Sequence, residues 1–277
     1  MMQVSAAIKY GAEQLAISSD SARLDSEMLL QKVLNCSKTF VYAHPDFLLT
    51  AEQLDCYQYL LQRRKEHVPI AYMTGEREFW AYNFKLSHTT LIPRPATESL
   101  IEAILQLDLP EDAKVCDLGT GSGAIAISLG KTHPAWDIIA TDIQTTALAV
   151  AAHNALLNAA YNIKFIWSNW FRRLSGYKFN LIVSNPPYIQ PHDPHLLQAD
   201  VSYEPRIALE SKDGSCDLRH IMQQAKNFLH ADGTLMLEHG YDQQSEVVAW
   251  LKFYGYKNIL PGLDYAGVPR YCLAVCP

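Results

Sequence analysis

The stretch that decides the fold is Val115-Cys116-Asp117-Leu118-Gly119-Thr120-Gly121-Ser122-Gly123-Ala124. Its first four residues are mostly apolar, which is typical of a short buried strand, and they lead directly into three alternating glycines. Glycines permit a tight turn and allow a ligand to approach the backbone closely. The pattern predicts a strand that ends in a ligand-binding loop, with a helix beginning at Ala124.

Alternating strand and helix patterns continue after this loop. Apolar runs predict strands at residues 138–140, 163–167, 181–183, 234–237, near Ile259 and at 271–275. Helical periodicity predicts helices at residues 124–129, 145–157, 217–229 and 245–253. Repeated β-α units imply an α/β fold with a mostly parallel sheet covered on both faces. Such sheets bind ligands beyond the carboxyl ends of their strands.

The region before the loop has a different character. Apolar residues recur near the helical period between Leu15 and Leu34, and a further helix is expected over residues 51–66. The aromatic, partly alternating stretch 78–86 predicts a β-hairpin, and Pro95 suits the first turn of a helix that runs to about Leu107. We therefore predict an N-terminal helical domain (1–72), a hairpin linker (73–92) and an α/β domain (93–277).

The overall composition limits the classes of function. The chain has 277 residues, 49% hydrophobic and 19% charged, with a net charge of −6. Proteins that bind a phosphate backbone usually carry a basic surplus, so direct nucleic-acid binding is not expected. The lack of a signal-like start and of a run of about 18 apolar residues predicts no membrane span and a cytoplasmic location. Six cysteines without zinc spacing predict buried free thiols and no metal site.

The glycine loop taken alone fits two cofactors. Gly119, Gly121 and Ala124 match the dinucleotide fingerprint, and Asp142, at the end of the second strand, is placed to accept from both ribose hydroxyls. Asp117 favours S-adenosylmethionine over NAD, because a carboxylate repels a pyrophosphate but attracts a sulfonium and an ammonium group. The alternative for Asp117 is a cap on the loop through backbone N–H groups. The residues expected to bind the cofactor are Asp117, Gly119, Thr120, Gly121, Ser122, Gly123, Asp142 and Asn185.

The segment Ser184-Asn185-Pro186-Pro187-Tyr188 follows the fourth strand and points to the chemistry. Two prolines have fixed φ angles and no N–H donors, so the carbonyls here are pre-oriented. The Asn185 side-chain oxygen and the Pro186 carbonyl could accept both N–H groups of a planar NH₂ group and aim its nitrogen at a sulfonium methyl. Tyr188 could pack on that planar group. No strong base is required, because the proton can leave after methyl transfer; Asn185, Pro186 and Tyr188 are the candidate catalytic residues.

These residues carry a resemblance to the peptide chain release factor glutamine N5-methyltransferase family. The shared segments are Gly75-Glu76-Arg77-Glu78-Phe79-Trp80, Leu91-Ile92-Pro93-Arg94-Pro95-Ala96-Thr97-Glu98, Asp117 to Gly123, Asp142, Asn169-Trp170-Phe171, Asn185 to Tyr188, Tyr203-Glu204-Pro205 and Leu237-Glu238-His239-Gly240. The glycine loop and the Asn-Pro-Pro-Tyr turn are common to many amino-methyltransferases, whereas the Arg-Pro-x-Thr-Glu element with the hairpin is more specific. Ala96 and Asn169 stand where the family usually has acidic residues. We expect these two differences to affect binding affinity more than activity.

The resemblance implies a seven-stranded Rossmann-like class I methyltransferase domain with a small N-terminal helical domain and a β-hairpin linker. It implies methyl transfer from S-adenosylmethionine to the glutamine of the Gly-Gly-Gln loop in class I release factors. By the same likeness, Trp170 lies near the adenine of the cofactor, and residues 185–188, Pro187 included, bind the glutamine amide. Arg94 and Glu98 are further candidates for substrate binding: they either order the cleft or simply pair.

Other functions remain open from the residues. An adenine-N6 methyltransferase acting on DNA or RNA would also present a planar NH₂ group to such a pocket, although the acidic balance and the lack of room for a target-recognition domain oppose it. An NAD-dependent oxidoreductase and a non-catalytic binding module are the remaining alternatives. The polar stretch 190–214 is longer than an ordinary connection, and we expect it to contact a protein substrate.

Overall fold

The computed structural model describes residues 2–198 and 200–277, and these residues form two compact units. The first unit comprises the chain up to Glu76 together with Leu197–Tyr203, and the second comprises Arg77–Leu196 and Glu204–Pro277. Residues 1 and 199, which fall within the predicted helical domain and the polar stretch 190–214, lie outside the described residues. The predicted domain boundaries after residues 72 and 92 stay a prediction.

Helices form the first unit, as the apolar periodicity predicts. They are α1 (Val4–Leu15), α2 (Ala22–Leu34), α3 (Lys38–Ala43), α4 (Ala51–Lys65) and α5 (Ile70–Thr74). Leu29, Leu30 and Tyr57 are fully buried in their shared core. The Tyr57 hydroxyl lies 2.6 Å from Ser26 Oγ, so the polar end of this buried ring has a hydrogen-bond partner.

An ion-pair cluster attaches a distant piece of chain to this helical unit. Arg64 Nε donates to Asp25 Oδ2 at 2.7 Å, and Arg64 Nη1 donates to Asp200 Oδ1 at 2.7 Å. The Tyr203 hydroxyl also donates to the Glu66 carbonyl at 2.8 Å. Part of the polar stretch 190–214 is therefore anchored on the helices, although the chain on either side of it belongs to the second unit.

The second unit contains most of the hairpin and the large sheet. Its strands are β1 (Glu76–Phe79, whose first residue belongs to the helical unit), β2 (Tyr82–Lys85), β3 (Lys114–Leu118), β4 (Asp137–Asp142), β5 (Ile163–Trp167), β6 (Phe179–Ser184), β7 (Leu229–Glu238), β8 (Lys257–Leu263) and β9 (Pro269–Val275). Its helices are α6 (Pro95–Leu105), α7 (Ala124–Thr132), α8 (Thr145–Leu157), α9 (Cys216–Ala225) and α10 (Gln244–Phe253). Short 3₁₀ turns lie at Pro194–Leu197, Val201–Tyr203 and Arg206–Ala208.

Seven strands make one mixed sheet in the order β5-β4-β3-β6-β7-β9-β8. Strands β5, β4, β3, β6 and β7 run parallel to one another, whereas β9 runs antiparallel to both β7 and β8. Separate apolar clusters cover the two faces of the sheet. Successive residues of β3 and β6 are therefore buried, whichever face they point to. The predicted α/β class with a seven-stranded sheet is confirmed.

The register of the central strands positions the site. Leu118 at the end of β3 pairs with Ser184 at the end of β6, and Ser184 pairs with Leu237 near the end of β7. Ser184 Oγ donates to the Leu118 carbonyl at 2.7 Å, and this bond links the carboxyl ends of β6 and β3. The glycine loop, Asn185 and Glu238 therefore emerge side by side at one edge, where sheets of this topology bind ligands.

The hairpin packs its aromatic side chains into the second unit. Phe79 and Phe84 are buried and meet edge to face, with 6.0 Å between ring centroids. Trp80 and Ala81 at the turn have φ angles of 55° and 83°, a left-handed pair that is unusual without glycine. Glu98 Oε1 accepts from the Trp80 backbone N at 2.9 Å and holds this turn against α6.

Two sequence-based expectations differ from the structure. The helix predicted over 217–229 ends at Ala225, and β7 begins at Leu229, because Leu229 is buried in the sheet core and pairs with Phe179. Helical periodicity could not separate the last helical turn from these apolar strand residues. The expectation that all cysteines are buried is wrong for Cys56 and Cys216, which are exposed free thiols.

Candidate active site

A cavity of about 270 Å³ opens at the carboxyl edge of the sheet. It is lined by Thr89, Leu91, Gly119, Gly121, Asp142, Ile143, Gln144, Ser168, Asn169, Trp170, Asn185, Pro187, Ile207, Ala208, Glu210 and Asp217. Motifs that lie far apart in the sequence thus meet at one place. The lining does not include the other candidate site residues, which are Arg94, Glu98, Asp117, Thr120, Ser122, Gly123, Pro186 and Tyr188.

The glycine loop adopts a backbone that only glycine takes without strain. Gly119, Gly121 and Gly123 have φ angles of 72°, 56° and 86°. A Cβ atom added to Gly121 would meet nothing within 4 Å, whereas one added to Gly123 would lie 2.8 Å from Ile127 Cδ1. Gly121 is therefore required by conformation, and Gly123 by conformation and by packing against α7.

Asp142 closes the loop from the end of β4. Its Oδ2 accepts from Gly121 N at 2.9 Å and its Oδ1 accepts from Gln144 N at 2.8 Å. Burial raises the pKa of Asp142, and these backbone donors oppose that rise. Each carboxylate oxygen keeps a further acceptor position beside the cavity.

Asp117 lies beneath the loop rather than in the cavity lining. It is 1% exposed, and its Oδ2 accepts from Thr120 Oγ1 at 2.6 Å and from Ala126 N at 3.3 Å. Its Oδ1 is buried and has no hydrogen-bond partner among the described residues. Burial raises the pKa of Asp117 to about 7, against the lowering effect of the two donors. Asp117 thus bonds the Thr120 side chain of the loop and one backbone N–H of α7, and its role toward the cofactor stays a prediction.

Asn154 on α8 supports the loop, and no sequence motif singled it out. Its Nδ2 donates to the carbonyls of Ser122 and Lys85, both at 2.9 Å, and its Oδ1 accepts from Lys85 N at 2.7 Å. The side chain is fully buried. One amide thus holds the glycine loop and strand β2 together.

The Asn-Pro-Pro-Tyr turn connects to a buried carboxylate. Asn185 Nδ2 donates to Thr97 Oγ1 at 3.4 Å, and Thr97 Oγ1 donates to Glu238 Oε2 at 2.7 Å. The Tyr188 hydroxyl donates to Glu238 Oε1 at 3.4 Å. Burial raises the pKa of Glu238 to about 7 and also raises the pKa of Tyr188. Thr97 belongs to the Arg-Pro-x-Thr-Glu element, but nothing in the sequence pattern indicates its hydrogen bond to Glu238.

Arg94 and Glu98 have separate partners. Arg94 forms an ion pair with buried Glu204, whose Oε2 also accepts from Ile92 N at 3.1 Å. Glu98 accepts from Trp80 N in the hairpin turn. These contacts order the chain around the start of α6, and the role of either side chain in substrate binding stays a prediction.

The charge of the cavity lining distinguishes between cofactors. Asp142, Glu210 and Asp217 are among the lining residues, and none of the described lining residues is lysine, arginine or histidine. Glu210 is ion-paired with Arg206, which lies outside the lining, so Asp142 and Asp217 carry most of the negative charge. Such a cavity repels a pyrophosphate and suits a ligand with positive charge. Sequence reasoning missed Glu210 and Asp217 because they lie in no motif: Glu210 reaches the cavity from the stretch before α9, and Asp217 reaches it from the first turn of α9.

The fold and the site together define a class I methyltransferase: a seven-stranded sheet with a glycine loop after β3 and an Asn-Pro-Pro-Tyr turn after β6. Residues 94–202 match the family model "Methyltransferase small domain", and residues 6–75 match "PrmC N-terminal domain". Release factor glutamine methyltransferases of Vibrio cholerae and Shewanella oneidensis are 44% and 42% identical to the chain. The alignments cover 98% and 96% of this chain and 96% and 94% of those relatives. The chain belongs to the release factor glutamine methyltransferase family.

Solved structures confirm the fold at low sequence identity. A methyltransferase from Pyrococcus furiosus superposes with a TM-score of 0.53 at 16% identity, over 69% of this chain and 87% of that one. The hMettl16 catalytic domain, in complex with MAT2A 3′UTR hairpin 6, gives a TM-score of 0.57 at 18% identity, over 76% and 80% of the two chains. Across the described residues, no helix has the length and apolar character needed to cross a membrane.

Proposed function

We propose that this chain transfers the methyl group of S-adenosylmethionine to the side-chain amide nitrogen of the glutamine in the Gly-Gly-Gln loop of class I release factors. The observation that carries the proposal is the pairing of Leu118 with Ser184, because it sets the Asn-Pro-Pro-Tyr turn beside the acidic cavity that the glycine loop lines. Family membership supports the same reaction, since the relatives named above are release factor glutamine methyltransferases.

The residues of the cavity fit the proposed cofactor. S-Adenosylmethionine, when bound, supplies an electrophilic methyl group on a positively charged sulfur. The described lining has no basic side chain, and its carboxylates, of which only Glu210 is ion-paired, to Arg206 outside the lining, favour that charge and the ammonium group. Gly119 and Gly121 allow a ligand to approach the backbone, and Asp142 has acceptor positions left for two ribose hydroxyls.

The remaining lining residues suit an adenine ring. Trp170 stands beside Gly119, where a Cβ atom would lie 3.5 Å from Trp170 Cζ3. Ser168 and Asn169 contribute hydrogen-bonding groups to the same lining. In our proposal Trp170 packs near the adenine, and Asn169 bonds to its edge in place of the aspartate that is usual in the family.

The turn residues bind and orient the glutamine amide. The Asn185 side-chain oxygen and the Pro186 carbonyl accept its two N–H groups, which favours the positive charge that develops on nitrogen as its bond to carbon forms. Tyr188 packs on the planar amide. A proton then leaves the methylated nitrogen for water, so none of these residues has to act as a strong base. Arg94 and Glu98 contribute by ordering the start of α6.

The stretch 190–214 is the proposed contact with the release factor. Its polar residues follow directly on the substrate turn, and Ile189 and Glu210 form a bridge that returns the chain to the cavity. Limited proteolysis with and without release factor tests this step. We expect slower cleavage within this stretch in the complex, and an equal rate would contradict the contact.

The reaction itself is tested by mass spectrometry. Enzyme, labelled cofactor and a class I release factor are incubated, and the loop peptide is expected to gain one methyl group on its glutamine. A release factor whose loop glutamine is replaced by alanine is the matched control. The proposal fails if wild-type release factor gains no label, or if the control gains as much.

A second titration separates the two cofactors. We expect S-adenosylmethionine to bind and NAD to bind much more weakly, because none of the described lining residues is a basic side chain that would hold a pyrophosphate. Tight binding of NAD would overturn the cofactor assignment.

A further inference from the structure

A buried chain of hydrogen bonds lies behind the substrate turn. Thr97 in the first turn of α6 and Glu238 at the end of β7 are 141 residues apart, and their side chains are 4% and 1% exposed. Thr97 connects Glu238 to Asn185, and Glu238 also accepts from Tyr188. Asn185, through Thr97, and Tyr188, directly, are therefore both hydrogen-bonded to the Glu238 carboxylate. These are the two side chains of the turn that face the substrate in our proposal.

The number of available protons determines which group donates in each hydrogen bond of this network. A threonine hydroxyl has a single proton, and an ionised carboxylate can only accept. Thr97 therefore gives its proton to Glu238, and its oxygen can only accept from Asn185. Asn185 must then direct Nδ2 toward Thr97, which leaves its Oδ1 on the other side of the amide.

We propose that Thr97 and Glu238 are positioning residues that fix the amide of Asn185 with its oxygen directed at the substrate and hold the Tyr188 ring in place. The inference rests on the proposed function, because the oxygen of Asn185 is the acceptor for the glutamine N–H in that mechanism. The reverse orientation would present an NH₂ group to the substrate NH₂ and would remove the acceptor. Thr97 and Glu238 themselves touch no reacting atom.

The same hydrogen-bond network makes the orientation of the Asn185 amide depend on whether Glu238 is protonated. Burial raises the pKa of Glu238 to about 7, and Thr97, Tyr188, Arg270 and Arg94 each lower it. A protonated Glu238 can donate to Thr97, which frees the threonine proton for Asn185 Oδ1 and reverses the amide. Turnover should therefore rise as the pH increases through about 7.

Substitution of Thr97 tests the kinetic consequence. Thr97→Val keeps the shape but removes the hydroxyl, and we expect turnover to fall roughly ten- to a hundredfold, with the cofactor dissociation constant changed less than about twofold. Thr97→Ser restores a hydroxyl and should recover most of the turnover. Thr234→Val removes a buried threonine hydroxyl from the same strand as Glu238 and serves as the control. Equal loss in Thr97→Val and Thr234→Val would contradict the positioning role.

The variant Glu238→Gln tests whether protonation of Glu238 controls turnover. This variant keeps the volume of the side chain and does not titrate, so its turnover should lose the rise near pH 7 that the wild type shows. Retention of the same rise in Glu238→Gln would overturn the role given to Glu238.

An NMR measurement tests the network without any substrate. The Asn185 side-chain NH₂ signal, assigned by its loss in Asn185→Asp, should move in Thr97→Val and titrate near pH 7 in wild type but not in Glu238→Gln. A signal that is insensitive to pH and to both substitutions would sink the network even if the wild type methylates release factors. A wild type that shows these shifts but methylates no release factor would instead sink the proposed function alone.

Discussion

Asn154 donates its side-chain N–H to the Ser122 carbonyl at 2.9 Å, so helix α8 holds the glycine loop from a position behind the cavity. The same amide also bonds both backbone groups of Lys85 in the hairpin. The Asn154 side chain is fully buried, so solvent does not compete for this bond. The shape of the loop is therefore set before any ligand arrives.

Asn154→Ala should loosen the loop and destabilise the fold. It leaves buried backbone groups without partners, and we expect the free energy of unfolding to fall by about 2–4 kcal/mol. The dissociation constant for S-adenosylmethionine should rise about tenfold, which calorimetry and a denaturant titration can measure. Asn158→Ala is the matched control, since Asn158 directly after α8 bonds the carbonyls of Asn83 and Asn154 but no group of the glycine loop. Equal affinities for the two variants would contradict the support role.

Asp142→Asn should weaken cofactor binding with little effect on the fold. A neutral amide cannot accept from Gly121 N, Gln144 N and two ribose hydroxyls together, because one of its ends is a donor. We expect the dissociation constant for S-adenosylmethionine to rise about 10- to 100-fold by equilibrium titration. Asp137→Asn removes an exposed carboxylate at the opposite end of β4 and should change nothing. An unchanged constant in Asp142→Asn would rule out the ribose assignment.

Asn185→Ala should reduce turnover far more than cofactor affinity. One positioned acceptor is typically worth about 10²–10³ in rate, because it acts on charge that develops only during the reaction. Single-turnover methylation of a release factor measures the first quantity, and calorimetry measures the second. Asn180→Ala is the control within β6, the strand that leads into Asn185, since Asn180 accepts from Lys114 N away from the cavity. Turnover near that of the wild type would show that Asn185 is not the amide acceptor.

The parts of the site that the sequence predicted are those that depend on contiguous residues. Gly121, Asp142 and Asn185 each lie directly after a buried apolar run, so the strand pattern also indicates where their backbone turns. The topology rule for parallel sheets then brings the three turns to one edge. The preference for a cationic cofactor came from Asp117 alone, which the structure places beneath the loop rather than in the cavity lining.

The remaining parts depend on pairings across the sheet, which a single sequence does not specify. Glu238 meets Thr97 because α6 packs against β7, and Asn154 meets Ser122 because α8 lies behind the loop. Glu210 reaches the cavity from a stretch without regular periodicity, and Asp217 reaches it from the first turn of α9, a position that helical periodicity does not relate to the cavity. The attachment of Asp200 to Arg64 likewise rests on a contact between residues 136 positions apart.

Asp117 makes the stability of the fold depend on pH in a direction opposite to that of most surface carboxylates. Its pKa is about 7 in the folded chain, against 3.8 as the usual value, because burial disfavours the charged form. Between these values the unfolded chain binds fewer protons than the folded chain, so this group lowers the free energy of unfolding as the pH rises from about 4 to about 7. Above about 7 both states are ionised and the contribution stays constant.

Asp117→Asn removes that dependence, since an amide still accepts from Thr120 and Ala126 without ionising. Relative to wild type, the variant should gain on the order of 1–4 kcal/mol of unfolding free energy between about pH 4 and about pH 8 in urea titrations. Asp112→Asn, at an exposed position just before β3, should show no such gain. A difference between Asp117→Asn and wild type that stays constant across this range would mean that Asp117 is already ionised in the folded protein at low pH. The loop would then hold a permanent negative charge beneath the cavity, which would attract the sulfonium at every pH.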